Sequence, residues 1–131
     1  MYVLDTNIVS ALVRDPHGPV MTHIARAGED RVATSIIVAC ELRYGVARKG
    51  GAHVLEQLEA VLAPMTILPF EGAADVQYGR LRAALEARGR VIGANDMLIA
   101  AHALAVDAIL VSDNVREFKR VSGLTVRNWL R

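Results

Sequence analysis

The chain is short of the residues that staple small domains together or build soft metal cages. One of its 131 residues is cysteine, Cys40. No intrachain disulfide can form, which fits a reducing cytoplasm. A lone thiol beside four histidines (His17, His23, His53 and His102) without ligand spacing excludes an ordinary zinc site. No apolar run approaches the roughly 20 residues needed to span a membrane. The opening "MYVLDTN" has no basic segment followed by a long apolar one, so no secretory signal is visible. Net charge is only +1, which excludes a global positive field. Lysine is scarce too: 13 of the 15 basic residues are arginine, leaving Lys49 and Lys119.

What is present is apolar and unevenly charged. Hydrophobic residues make up 53% of the chain, enough for a sizeable core in a single domain spanning 1–131. Residues 1–79 carry 6 basic and 9 acidic side chains, a balance of −3; residues 80–131 carry 9 and 5, a balance of +4. Arginine forks suit phosphate oxygens, although solvated helix faces produce the same composition.

Apolar strands alternate with helical patterns. "YVL" (2–4), "RVAT", "MTILPF", "AILVS" (108–112) and "LTVRNW" read as strands. "TNIVSALVR", with Thr6 or Asn7 as its cap, "VMTHIARAGE", "SIIVACELRYGVARKGG" and "AHVLEQLEAVLA" read as helices. "EGAADVQYGRLRAALEARG" places Ala74, Tyr78, Leu81 and Leu85 on one helical face. "ANDMLIAAHALAV" is the next helix, and "VREFKRV" a short turn or helix. The pattern predicts an α/β fold, a three-layer α/β/α sandwich around a short, mainly parallel sheet of four or five strands.

In such a sheet, sites form outside the carboxyl ends of the strands. Asp5 directly follows strand 2–4, and Asp113 and Asn114 follow strand 108–112. Asp96 opens the helix leading back to that strand, so it starts at the same rim. Glu41 borders the apolar stripe Val38, Leu42 and Val46, from which its head can reach inward. Each acid also has a plain structural role open to it. Asp5 fits a helix cap, Asp96 a helix-dipole partner, Glu41 a surface mate of Arg43 or Arg48, and Asp113 a turn acid. Taken jointly, the acids point to one edge. Clustered carboxylates raise one another's pKa, and a cation relieves this. An all-oxygen donor set favours Mg²⁺ or Mn²⁺, which suits phosphodiester chemistry. His102, six residues past Asp96, is expected to pack on its helix.

Five segments, "VLDTNIVS", "SIIVACELRYGVAR", "IGANDMLIAAHAL", "ILVSDNVREFKRV" and "GLTVRNW", together resemble the PIN-domain ribonucleases, in particular the VapC-type toxins of bacterial toxin–antitoxin pairs. The resemblance runs through the whole chain. It implies a PIN-like fold and Mg²⁺- or Mn²⁺-dependent endonucleolytic cleavage of RNA, tRNA among the targets. It places metal-binding acids at Asp5, Glu41 and Asp96, with Thr6, Asn7, Ser35 and Ser112 as supporting polar positions. The fourth acid of the pattern aligns with Asn114, with Asp113 just before it, and either can fill the role. The resemblance also implies a cognate antitoxin, homodimerisation, and contact with DNA only through the antitoxin complex. Arg80, Arg82, Arg116 and Arg120 of the basic half are candidate RNA contacts. Two other readings compete. One is a non-catalytic module on the same fold. The other is a phosphotransferase with Asp5 as nucleophile, against which stands Asn7 where such enzymes want a second Asp.

Overall fold

The computed structural model describes residues 1–131. Strand β1 (Tyr2–Leu4) is followed by helices α1 (Thr6–Arg14) and α2 (Pro19–Ala27). A 3-10 turn at Glu29–Arg31 leads into β2 (Val32–Ser35). Then come α3 (Ile36–Lys49), α4 (Ala52–Leu62), β3 (Thr66–Leu68), α5 (Ala74–Ala87) and α6 (Ala94–Ala105). The chain closes with β4 (Ile109–Val111), α7 (Val115–Phe118) and β5 (Val126–Arg127).

The five strands form one parallel sheet in the order β3-β2-β1-β4-β5. The chain first moves outward from β1 to β2 and β3, then crosses back to β4 and β5 on the other side. Parallel crossovers are right-handed almost without exception, so the two directions put their helices on opposite faces. The packing agrees: α1 lies against α2, α3 and α4, while α5 packs chiefly on α6. The sandwich is the expected one, with five strands.

The core explains the apolar composition. Val3, Leu4, Leu110 and Val111 of the two central strands are fully buried. So are Ile99, Ala100, Ala101 and Ala103, which makes α6 a helix that is apolar nearly all round. On α5 the buried face is Ala74, Leu81 and Leu85, with Tyr78 half-buried, as its spacing predicts. No helix is long and apolar enough to cross a membrane.

One helix start differs from the first sequence reading. The cap of α1 is Asp5, whose carboxylate accepts from the Thr6 N–H, and not Thr6 or Asn7. Helix α6 begins at Ala94, where the sequence pattern starts it.

Candidate active site

Strands β1 and β4 are adjacent, parallel and in register, Leu4 beside Val111. Their carboxyl ends therefore deliver the next residues, Asp5 and Ser112, to one point, where the direction of the sheet's connections reverses. Such switch points leave a crevice because the flanking helices diverge to opposite faces. The Asp5 N–H donates to the Val111 carbonyl at 2.8 Å and locks the junction.

Asp5 is only 3% exposed, yet its carboxylate is well supplied with donors. Oδ1 accepts from the Thr6 N–H at 2.8 Å; Oδ2 accepts from the Ser112 hydroxyl at 2.7 Å and the Asn7 amide at 3.3 Å. Burial raises its pKa; the Ser112 and Thr6 bonds oppose this, and the Glu41 charge adds to the rise. Asn7 is the hub of this corner. Its amide also reaches the Ser112 hydroxyl at 3.4 Å, and its carbonyl oxygen accepts from the Asp113 N–H at 2.9 Å.

Across the crevice, Asp96 sits half-buried in the first turn of α6. Its pKa is pushed up to about 6, first by burial and then by the charges of Asp5, Glu41 and Glu117. Glu41 leans in from the second turn of α3, where the Thr6 hydroxyl donates to Oε1 at 2.6 Å and the Asn95 amide to Oε2 at 3.4 Å. Asn95 thus serves as a donor to Glu41. Glu41 also stays clear of its expected surface mates: Arg43 instead pairs with Glu59.

Four carboxylates therefore share one rim, and none of them has a salt-bridge partner; the chain's two salt bridges, Arg43–Glu59 and Arg82–Glu86, involve other acids. Such an arrangement is electrostatically unfavourable without a cation. Its donors are all oxygen, which fits Mg²⁺ or Mn²⁺ and not zinc. No three acidic, histidine or cysteine side chains stand close enough together to hold one ion directly. An ion at this rim would be held by one or two carboxylates and otherwise by water. A Cβ on Gly93 would lie 3.3 Å from Asp96 Oδ2, so the glycine gives that carboxylate room at the helix start.

The two acid-bearing helices are tied together below the rim. The Ser35 hydroxyl, which accepts from the Ile37 N–H and caps α3, meets His102 Nδ1 of α6 at 2.6 Å. Both residues are buried, and Phe70 packs edge-on against the imidazole at 5.5 Å. Burial lowers the pKa of His102, which keeps the ring neutral. Sequence alone shows an apolar helix interrupted by a histidine; Ser35 lies 67 positions away.

A family model described as "PIN domain" matches residues 2–124. The chain belongs to the PIN-domain family. Among known PIN domains, it is 40% identical to "Ribonuclease VapC2" of Rickettsia felis, over 98% of each chain. It is 30% identical to "tRNA(fMet)-specific endonuclease VapC" of Shigella flexneri, over 98% of this chain and 97% of that one. Its fold is similar to the solved structure of VapBC2 from Rickettsia felis bound to a DNA fragment from their promoter (TM-score 0.92, 35% identity, 98% of each chain covered). These likenesses place it in the VapC branch of the family.

Within this PIN domain the remaining expected positions separate. Asp113 is exposed and accepts from the Asn128 amide at 2.9 Å, so its carboxylate serves the end of β5. Asn114 stands before α7, its N–H donating to the Ser112 hydroxyl. Beyond β4, the acid that reaches Asp96 electrostatically is Glu117, in the first turn of α7. Sequence reasoning missed it, although the signal was there: α7, like α6, starts at the carboxyl rim, so an acid in its first turn is delivered to the same edge. Of the four arginines, Arg82 is engaged by Glu86 and the Tyr78 hydroxyl, and Arg120 reaches back to the Val91 carbonyl. Arg80 and Arg116 are exposed.

Proposed function

We infer that this PIN domain is a metal-dependent endoribonuclease acting as the toxin of a toxin–antitoxin pair, and that it inhibits translation by cutting RNA. The observation that carries this is the gathering of Asp5, Glu41, Asp96 and Glu117 at the switch point of the sheet, none of them in a salt bridge. Asp5, Glu41 and Asp96 would hold Mg²⁺ or Mn²⁺, with Glu117 as the fourth acid. When bound, the ion supplies Lewis-acid charge and an activated water for phosphodiester hydrolysis. The chain's part is to aim the donors. Ser112 and Asn7 fix one oxygen of Asp5, and Thr6 and Asn95 fix Glu41. The Ser35–His102 bond holds the helices of Glu41 and Asp96 at constant separation.

The relatives named for RNA and tRNA(fMet) cleavage support RNA, with tRNA among its forms, as the substrate. VapBC structures support a cognate antitoxin, through which DNA contact arises. Homodimerisation and a cytoplasmic location go with this reading. Against the competing aspartyl-phosphate route stand the burial of Asp5 and Asn7 in the place of the second Asp that such enzymes want. Asp96→Asn tests the proposal. It should keep the fold and abolish Mn²⁺-dependent cleavage of tRNA; an unchanged cleavage rate would overturn the assignment.

A further inference from the structure

The positive excess of the second half of the chain is gathered at one place. Arg88 and Arg90 lie in the connection between α5 and α6, directly before the helix that carries Asp96. Arg116, Lys119 and Arg120 lie on or just after α7, around Glu117. None of these five cations takes part in a salt bridge. The two segments are far apart in sequence but are held together. Arg88 Nη2 donates to the Arg120 carbonyl at 2.8 Å, and Arg120 Nη1 donates to the Val91 carbonyl at 3.4 Å.

These bonds sort the cations by role. Arg88 and Arg120 spend their donors on backbone carbonyls and act as struts between the connection and α7. Arg90, Arg116 and Lys119 are exposed and have no side-chain hydrogen bond. They flank the acid rim on one side, because α6 and α7 both begin there. An unneutralised group of cations beside an acid cluster is unfavourable to neither group, and it fits a polyanion whose phosphates reach the acids only with a metal. Arg80 and Arg82 fit this less well. They lie in the middle of α5, and Arg80 is about 10 Å along the helix from its rim end. Arg82 is already paired.

We propose that an RNA strand crosses the α5–α6 connection and α7, its phosphates gripped by Arg90, Arg116 and Lys119, with Arg88 and Arg120 fixing the spacing between the two segments. This rests on the ribonuclease reading and assigns its substrate track. Each phosphate neutralised releases counterions, so binding acquires a salt dependence of about −0.7 in log K per log [salt] for each contact with a single strand.

The test is binding of a fluorescein-labelled 12-nucleotide single-stranded RNA, followed by anisotropy across a KCl series in EDTA, where no metal-dependent cleavage consumes the probe. The triple variant Arg90→Gln, Arg116→Gln, Lys119→Gln should lower the salt slope by roughly 2 and weaken binding by about 10- to 100-fold at 0.1 M KCl. A control triple on α2, the 3-10 turn and α3, Arg26→Gln, Arg31→Gln, Arg48→Gln, changes net charge equally and should leave slope and affinity near wild type. Equal losses in both triples, or no loss in the first, overturn the track. The single variants, all at exposed positions, report the same slope contact by contact if the triple misfolds. If wild type binds with the expected slope but cuts no RNA with Mn²⁺, the ribonuclease reading fails and the track stands. If it cuts RNA while the first triple binds normally, only the track fails.

Discussion

The Thr6 hydroxyl donates to Glu41 Oε1 at 2.6 Å, joining residues 35 positions apart in the sequence. The bond spans the gap between the start of α1, where Asp5 is fixed, and the second turn of α3. Thr6→Val removes the donor at almost constant shape and leaves Glu41 with only the longer Asn95 bond. Partners of metal-holding carboxylates commonly matter by about 10- to 100-fold. The expected outcome is a loss of that order in Mn²⁺-dependent cleavage and in Mn²⁺ affinity by calorimetry, with unchanged circular dichroism. Thr6→Ser should restore both. Wild-type kinetics in Thr6→Val would remove Thr6 from the site.

The raised pKa of Asp96 gives a pH signature with a definite sign. In the fold the group titrates at about 6, against 3.8 for a free carboxyl. The native state therefore holds the proton more tightly, and stability of the metal-free protein falls as pH rises from about 4 through 6. Asp96→Asn carries no charge at any pH. Its melting temperature in EDTA should exceed wild type by a few degrees at pH 7.5, and the gap should close towards pH 4. Because a metal competes with the same proton, the stabilisation of wild type by Mn²⁺ should grow up to about pH 6 and level off above it. A mutant that melts lower than wild type at pH 7.5 would make Asp96 a structural cap.

Glu117 and Asp113 make opposite predictions. Glu117→Gln removes one of the charges that raise the Asp96 pKa, so cleavage should fall at least tenfold, and the pH at which Mn²⁺ stabilisation begins should move down. Asp113→Asn alters an exposed acceptor for Asn128 and should change cleavage by less than threefold. The reverse ranking in a single-turnover assay would return the fourth position to the strand end.

The fold was legible because its signals are local. Short apolar strands and 3.6-residue stripes can be read within a window, and α5 buries the face its spacing predicts. Asp5 and Asp96 were legible for a second reason: strand ends and helix starts in a parallel sheet are confined to one rim, so topology does the work of coordinates. The misses share a cause. Which acid beyond β4 turns inward depends on the pitch of a four-residue helix and on Asn128 capturing Asp113. The Ser35–His102 bond and the strut between Arg88 and the Arg120 carbonyl join positions 67 and 32 apart, and no local periodicity records them.

The sheet order has a consequence for how the protein comes into being. Strand β1 is made before its neighbour β4, with β2, β3 and six α-helices between them in the sequence. The bond from Ser112 to Asp5 spans 107 positions. A nascent chain therefore holds Asp5 without its Ser112 donor until the strand that completes the crevice has been made. The acid rim would assemble only after β4 and α7 have emerged, so β1 and its first helices cannot form the site alone.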